Sequence, residues 1–457
     1  MTSGPTPRPV RRAPSEFSLP VERDHLDRLT AGSPDWLATD RVAGFEAFGT
    51  LPPEPNLLYT TYLDLRPADL GGTTIVGPDA VGAVAAPALP ADEEGVLEIR
   101  DGVPVAAALS SEARAAGVTL TPWSALLAAD PATAQALVEA TGAIPVDDRY
   151  GQLTRALWTD GMVLDVPAGV RLTKPILLRW SSAAAGLAVF GRTFIRLGDG
   201  ASASVVEEWL PGSEPRGDGP QAFLAGTSEI SLGTGASLSL ASIQDLDRQT
   251  IAFQHRTARI GQDASLQWAL AQLGSRLVRS RVDNRLEGDH SSVEQAEIVF
   301  GGADQLFDLT SYTRHVGQVT TGNLLSKGAL LENAKAFLKG MITIEKSAIG
   351  TDSYLGEFGM NLSKDARSVA IPSLEIDQPD CRRAAHASSV GPIDEAQLFY
   401  LESRGIAPDE ARKFIVLGFL EPVVARVPLA AAQDRQRALL EAKWDANVGS
   451  SSGAHAA

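Results

Sequence analysis

The stretch "LGDGAS" at Leu197 returns as "LGTGAS" at Leu232, as "IGQDAS" at Ile260 and, more faintly, as "LEGDHS" at Leu286. Each copy lies between runs in which apolar and polar residues alternate, as in "TFIRLGDGASASVVEEW" and "SEISLGTGASLSLASI". Alternation marks half-buried strands, and a glycine or aspartate turn inside it marks a strand–turn–strand unit. A unit that cannot bury its apolar face alone must stack on its neighbours, so this repeat constrains the fold more than any other feature. Its intervals of 35, 28 and 26 residues are too irregular for a left-handed helix of hexapeptides. They fit the broader coils of a parallel β-helix, and they also fit a β-sandwich with glycine turns at its hairpins. The helix-poor block from about 163 to 380 is long for a sandwich and favours the solenoid.

The flanks read differently. "SPDWLATDRVAGFEAFGTLP" offers Ser33 as a cap, Pro34 at a first-turn position, and Trp36, Val42, Phe45 and Phe48 on an imperfect helical stripe. "SSEARAAGV" and "PWSALLAADPATAQALVEATG" predict further helix between Ser110 and Gly142. Residues 20–160 are therefore expected to be helical or α/β, ahead of a β core over 161–390. After the core, Asp394 can cap a helix, with Gln397 in the capping-box position and Ile393 and Leu398 as a hydrophobic staple. Gly405 ends that helix in a left-handed C-cap. Pro408 opens a second, with Ala411, Phe414, Ile415 and Phe419 on one stripe up to Pro422, and a third follows from Pro428. These three helices predict a C-terminal cap or docking domain over 391–447. The Pro-, Gly- and Ser-rich ends, 1–19 and 448–457, are expected to be disordered.

Charge and motif content narrow the chemistry. A net charge of -16, from 40 Lys+Arg against 56 Asp+Glu, opposes binding to nucleic acid or to an anionic membrane surface. No apolar run approaches the roughly 18 residues of a membrane span, and residues 1–14 hold no apolar signal core. A cytoplasmic protein is expected. GxxxxGK[ST], GxSxG, HExxH and a helix-opening GxGxxG are all missing, so nucleotide hydrolysis, acyl transfer and zinc proteolysis lack their minimal parts. "DNRLEGDH", with Asp283, Glu287 and Asp289, is the nearest approach to the acidic groove of a β-helix enzyme acting on carbohydrate. A charged solvated edge accounts for it more simply.

Cys381 is the one cysteine, which removes disulfides and CxxC metal sites. A cluster held by four cysteine thiolates cannot be built by this chain alone. A lone intracellular cysteine is most often a small buried apolar residue. His386, one of six histidines, stands among Ala384, Ala385, Ala387, Ser388 and Ser389. These small neighbours leave room for another chain to approach, and a neutral imidazole is a good ligand for iron, zinc or copper.

The segment "PSLEIDQPDCRRAAHASSVGPIDEAQLFYLESRGIAPDEARKFIVLGFLEPV" resembles the C-terminal signature of the SufB/SufD family of iron–sulfur cluster assembly proteins. The likeness lies in P-x-LEI, a histidine followed by small residues and V-G, then D-E-x-x-LFYL-x-x-RG. "KGALLENAKAFLKGMITIEKSAIGTDSYLGEFGMNLS" is similar to the family's last coils, and "PDWLATDRVAGFEAFGTLP" to the N-terminal helix of its SufD branch. The resemblance implies a mainly β fold: a right-handed parallel β-helix with an N-terminal helical or α/β region and a C-terminal helical domain. It implies a non-enzymatic subunit that pairs with a SufB-like protein through the β-helix and docks a SufC-like ATPase through its C-terminal helices. Such a subunit aids iron entry, cluster assembly and transfer to apo iron–sulfur proteins, and can form a homodimer in isolation. His386 matches the histidine that faces SufB, and would be an iron or cluster ligand shared with the partner. Relatives often read Cys-Ser-His here, whereas this chain has Ala384 and carries Cys381 three residues earlier, which weakens Cys381 as a ligand. SufB relatives carry a cysteine in the preceding coil, and "GEFGMNLSKD" has none, so the likeness is to SufD and not to a homodimeric SufB-type scaffold. No pattern in the sequence calls for a flavin. Phe399, Tyr400, Arg404, Phe414 and Phe419 are the candidates for the ATPase contact, with most of the aromatics expected to pack between helices instead.

Overall fold

In the computed structural model, residues 17–80, 82–212, 219–427 and 429–451 are described. From Asp160 to Pro392 the chain alternates between two sheets, so that each coil gives one strand to each. About 8 coils stack in this way into a β-solenoid, the architecture the repeat favoured over a sandwich. Coil-to-coil pairing is parallel throughout, from Asp160–Val166 against Leu187–Leu197 to Asp352–Asn361 against Arg383–Pro392.

The repeated hexapeptide is the corner between the sheets. Gly200, Gly235, Asp263, His290, Val319 and Gly350 all have positive φ, between 55° and 74°. Each donates its backbone N–H to a carbonyl in the next coil's corner at 2.7–2.9 Å. The residue after each, Ala201, Ala236, Ala264, Ser291, Thr320 or Thr351, is small and buried, because the chain turns inward there with little room. The corners at His315 and Ile344 are further copies that lost the glycine-rich spelling. The long first interval reflects the longer stretch of sequence, 212–221, between the strands Ser202–Pro211 and Ala222–Leu232.

The N-terminal region is α/β and is sewn into the solenoid. Gly95–Arg100 adds to one sheet and forms a hairpin with Val103–Leu109, and Thr119–Pro122 adds antiparallel to the other. Helices Arg23–Thr30, Asp35–Thr50 and Arg149–Leu157 cover the outer face of the first sheet, where Leu26, Leu37, Leu153 and Trp158 bury Phe190, Phe194, Phe223 and Phe253. Helix Asp35–Thr50 starts one residue later than expected: Pro34 is its N-cap, and the Ser33 hydroxyl turns back to the Leu29 carbonyl. The next predicted helical run is two helices, Trp123–Ala129 and Pro131–Thr141, divided at Asp130, whose carboxylate caps the second.

The C-terminal helices are Glu395–Ser403, Pro408–Val424 and Ala430–Ser451. Asp394 caps the first by accepting from Ala396, and Gly405, at φ 86°, ends it. The second continues through Pro422 to Val424 and buries Ala411, Val416, Leu420, Val423 and Val424. The expected stripe through Phe414 and Ile415 is corrected by this, since Phe414 points away from the sheet. The third reaches Ser451, four residues into the expected tail; residues 1–16 and 452–457, and Pro428, lie outside the described residues. The helices lie on the flank of the second sheet, against Ile298, Phe300, Leu325 and Ala329, and Lys443 pins them through Asp245 at 3.1 Å and the Leu273 carbonyl. They do not cap the end of the solenoid.

Candidate functional site

The solenoid is closed at one end and open at the other. N-terminal strands cover the first coil, whereas Arg367–Ile376 and Arg383–Pro392 are, among the described residues, the last strands of their sheets, each with a partner on one side only. Unpaired edges of this kind offer a row of backbone donors and acceptors to another strand.

His386 lies in that last strand, in register with Leu355, an interior residue. Among the described residues no further coil follows, so an inward-facing position is exposed. Its Nδ1 is 2.9 Å from the Pro372 carbonyl oxygen, in the last strand of the opposite sheet. A carbonyl only accepts, so Nδ1 carries the proton and donates, and in the neutral ring Nε2 keeps its lone pair. A hydrogen bond from the second nitrogen is how metal-binding imidazoles are held and made more basic. Cys381 is not brought to this nitrogen's service: it is half-buried and packs with Leu374 and Ala384 on Leu324, Ile342 and Leu355. Among the described residues no group of three or more His, Cys, Asp or Glu side chains is arranged to hold a metal ion.

Beneath the open end the interior is acidic. Glu357, buried, accepts at 2.8 Å from the Ile371 N–H, and burial raises its carboxyl to about 8, with Glu297 adding to the rise and Lys339 opposing it. Neither this carboxyl nor the Pro372 contact was foreseen from sequence. The alternation of inward positions could have found Glu357, since it falls on the same parity as Leu355.

Of the acids of "DNRLEGDH", Asp283 and Glu287 border a groove of about 600 Å³ on the outer face of the first sheet, and Asp289 lies outside it. Arg281 holds Asp283 at 2.8 Å; Arg259 and Arg285 hold Glu287 at 3.1 and 3.0 Å. Asp289 accepts from the Gln318 N–H in a corner. All three are engaged locally, and the paired carboxylates that glycoside cleavage needs are not assembled from them.

The helical candidates divide. Phe399, Tyr400 and Phe414 are exposed at 72%, 56% and 54%, contrary to the expectation that most of these aromatics pack inside. The Arg404 guanidinium lies over the Tyr400 ring at 4.9 Å. Phe419 packs, with the Lys327 ammonium 4.6 Å above its ring and donating to its carbonyl at 2.7 Å. Gln397, Leu401 and Ile415, which sequence reasoning did not single out for contact, join Ala396 and Tyr400 in lining an open groove between the first two helices.

Residues 180–419, more than half of the chain, match the family model described as SUF system FeS cluster assembly, SufBD core domain. The chain is similar to the iron–sulfur cluster assembly protein SufD of Bacillus subtilis, 28% identical over 345 residues, which cover 75% of this chain and 78% of that one. It is also similar to an iron–sulfur cluster assembly SufBD family protein of Mycobacterium tuberculosis, 27% identical over 66% of this chain and 75% of that one. A Staphylococcus saprophyticus protein of the same description is 25% identical over 66% and 64%.

Proposed function

The chain belongs to the SufBD family of iron–sulfur cluster assembly proteins, and from that premise we propose that it is a SufD-like, non-enzymatic subunit working between a SufB-like chain and a SufC-like ATPase. The observation that carries this reading is His386, tethered through Nδ1 at an end of the solenoid that no strand covers among the described residues. A partner strand can add to either unpaired edge, and backbone pairing of this kind gives affinity without demanding particular side chains. The cargo is iron or a nascent cluster, to which this chain offers one imidazole nitrogen. The remaining ligands come from the partner, in keeping with a chain of one cysteine whose thiol is packed among aliphatic side chains.

The exposed Phe399, Tyr400 and Phe414, beside the groove of the C-terminal helices, form the surface for the ATPase. Nucleotide-driven movement of two such ATPase copies would then pull on both subunits and open the joint at which His386 lies. Iron enters and the finished cluster leaves for apo iron–sulfur proteins by that opening, in the cytoplasm.

Co-expression with a tagged SufB-like chain and a SufC-like ATPase tests the reading. A stable complex of all three is expected. Recovery of this chain only as a monomer or as a homodimer joined through the open ends overturns it.

A further inference from the structure

Six inward-facing side chains in adjoining coils, Gln244, Gln254, Arg256, Gln272, Ser280 and Glu297, are each no more than 1% exposed. Among the described residues each holds a polar atom with no partner at full hydrogen-bonding geometry: Nε2 of Gln244 and Gln254, Nε of Arg256, Oε1 of Gln272, Oγ of Ser280 and Oε1 of Glu297. Gln272 and Ser280 do come near enough to Glu297 to pull its carboxyl down, which leaves those of Gln244, Gln254 and Arg256 as the atoms no neighbour serves. Strand register brings them together. Gln244 lies beside Gln272 in one sheet, with Glu297 diagonal to Gln272 on the next strand, opposite Leu270, and Gln254 lies beside Ser280 in the other. The sheets are close here, since Arg256 reaches across to Glu207 at 2.9 Å and to Ser242 at 2.8 Å.

Leaving such a group of atoms dry would cost a large share of the net stability of a typical domain, so something satisfies them. The six atoms include donors and acceptors together. A lone anion or cation would serve one kind only, whereas water, giving two hydrogen bonds and taking two, serves both. Along the second sheet, Glu297 is followed in register by Ser326, then Glu357, then Ser388 at the open end. Ser326 is paired on both sides, faces inward and is buried at 8% exposure, so its hydroxyl stands in the same row between the two carboxyls.

We propose that this section of the solenoid interior binds a cluster of ordered water, and that the row from Glu297 through Ser326 to Glu357 exchanges protons between that water and the open end. The proton leaves the Glu297 carboxyl for a water and is passed on by the next oxygen, with no electron transfer. The groups that face Glu297 are Arg256 and Ser280 from one sheet, Gln272 from the other, and Glu357 from the coils beyond it; Glu207 neutralises Arg256 from behind. Burial holds the Glu297 carboxyl up at about 7 against the pull of Arg256, so it holds a proton that can leave near neutrality. The inference concerns this chain alone and stands whether or not a second protein docks.

A high-resolution crystal structure of the full chain gives the first readout, with waters expected on the unserved atoms of Gln244, Gln254 and Arg256. An interior in which the glutamine amides turn and pair directly, without water, overturns the site. Infrared spectra give the second. At mildly acid pH a protonated-carboxyl band is expected that Glu297→Gln removes, and in D₂O that band shifts rapidly in the folded protein. Ser326→Val, which blocks the row but keeps the fold, slows the shift. Identical carboxyl regions in wild type and Glu297→Gln overturn the stored proton, and unchanged exchange in Ser326→Val overturns the route.

Discussion

His386 donates from Nδ1 to the Pro372 carbonyl at 2.9 Å, tying the last strand of one sheet to the last strand of the other across the open mouth of the solenoid. The tether fixes the ring, and the ring's other nitrogen is the part with chemistry to offer. His386→Ala should leave the melting temperature nearly unchanged, because an exposed residue with one hydrogen bond is worth only about 0.5–1 kcal/mol. Cluster maturation in cells should fall, while complexes with partner proteins persist. His386→Gln can still donate to Pro372 but lacks the imidazole nitrogen, and should fail in maturation like the alanine variant. Normal maturation in both would reduce His386 to a strap between strands.

The corner column holds one residue that fits badly. Val319 occupies the left-handed region at φ 55°, where a β-branched side chain is strained, while Gly350 fills the same place in the next coil at φ 74°. Val319→Asn should stabilise the protein by about 1 kcal/mol, since asparagine tolerates this conformation. Gly350→Ala should destabilise it by about the same amount. Urea midpoints at unchanged m-value are the measure, and a shift of the same sign in both variants would contradict the argument.

Two buried groups pull stability in opposite directions with pH. His315, enclosed with Nδ1 at 2.8 Å from Thr320 and Nε2 at 3.0 Å from Ser353, is pushed by burial from 6.5 to about 4. Between those values the unfolded chain binds a proton that the folded one does not, so stability falls as pH drops through that window. Glu357 is raised from 4.5 to about 8. Its folded state keeps a proton that the unfolded state has released, so its contribution is complete below pH 4.5 and is lost as pH rises to 8. One proton corresponds to about 1.4 kcal/mol per pH unit. Glu357→Gln should therefore flatten the decline in urea midpoint between pH 6.5 and 8, and steepen the fall below 6.5, where Glu357 otherwise opposes His315. An unchanged slope between pH 6.5 and 8 would show that Glu357 is ionised in the fold.

What could be read in advance followed from whether the signal was local. The corner hexapeptides and the caps at Asp394 and Gly405 need only near neighbours in sequence, and both proved correct. The corners at Val319 and Gly350 escaped because stacking imposes the left-handed conformation there without glycine-rich spelling on the first side. Period puts Phe414 on the apolar stripe of its helix, but period alone does not say which side of that helix meets the sheet; Val416 and Leu420 are the buried ones. The surroundings of His386 were the least legible part. Pro372 and Glu357 come from strands 14 and 29 residues away in sequence, and only the alternation of coils between two sheets brings them under one opening.

Phe399, Tyr400 and Phe414 give the sharpest separation between docking and folding. They are exposed on helices whose other face is already buried, so truncating them removes little from the core. Phe399→Ala or Phe414→Ala should each weaken capture of a SufC-like ATPase by about 2 kcal/mol, roughly thirtyfold in Kd, as expected for an aromatic anchor. The melting temperature should stay within a degree or two of wild type, since surface substitutions cost little. Phe419→Ala should behave in the opposite way, because that ring packs under Lys327 and on the second sheet. It should lower the melting temperature through lost packing and affect capture only as the helices loosen. Titration calorimetry and thermal melts on the same three variants check the split. If Phe399→Ala and Phe414→Ala bind as well as wild type, the ATPase does not dock on this face and the exposed aromatics need another explanation.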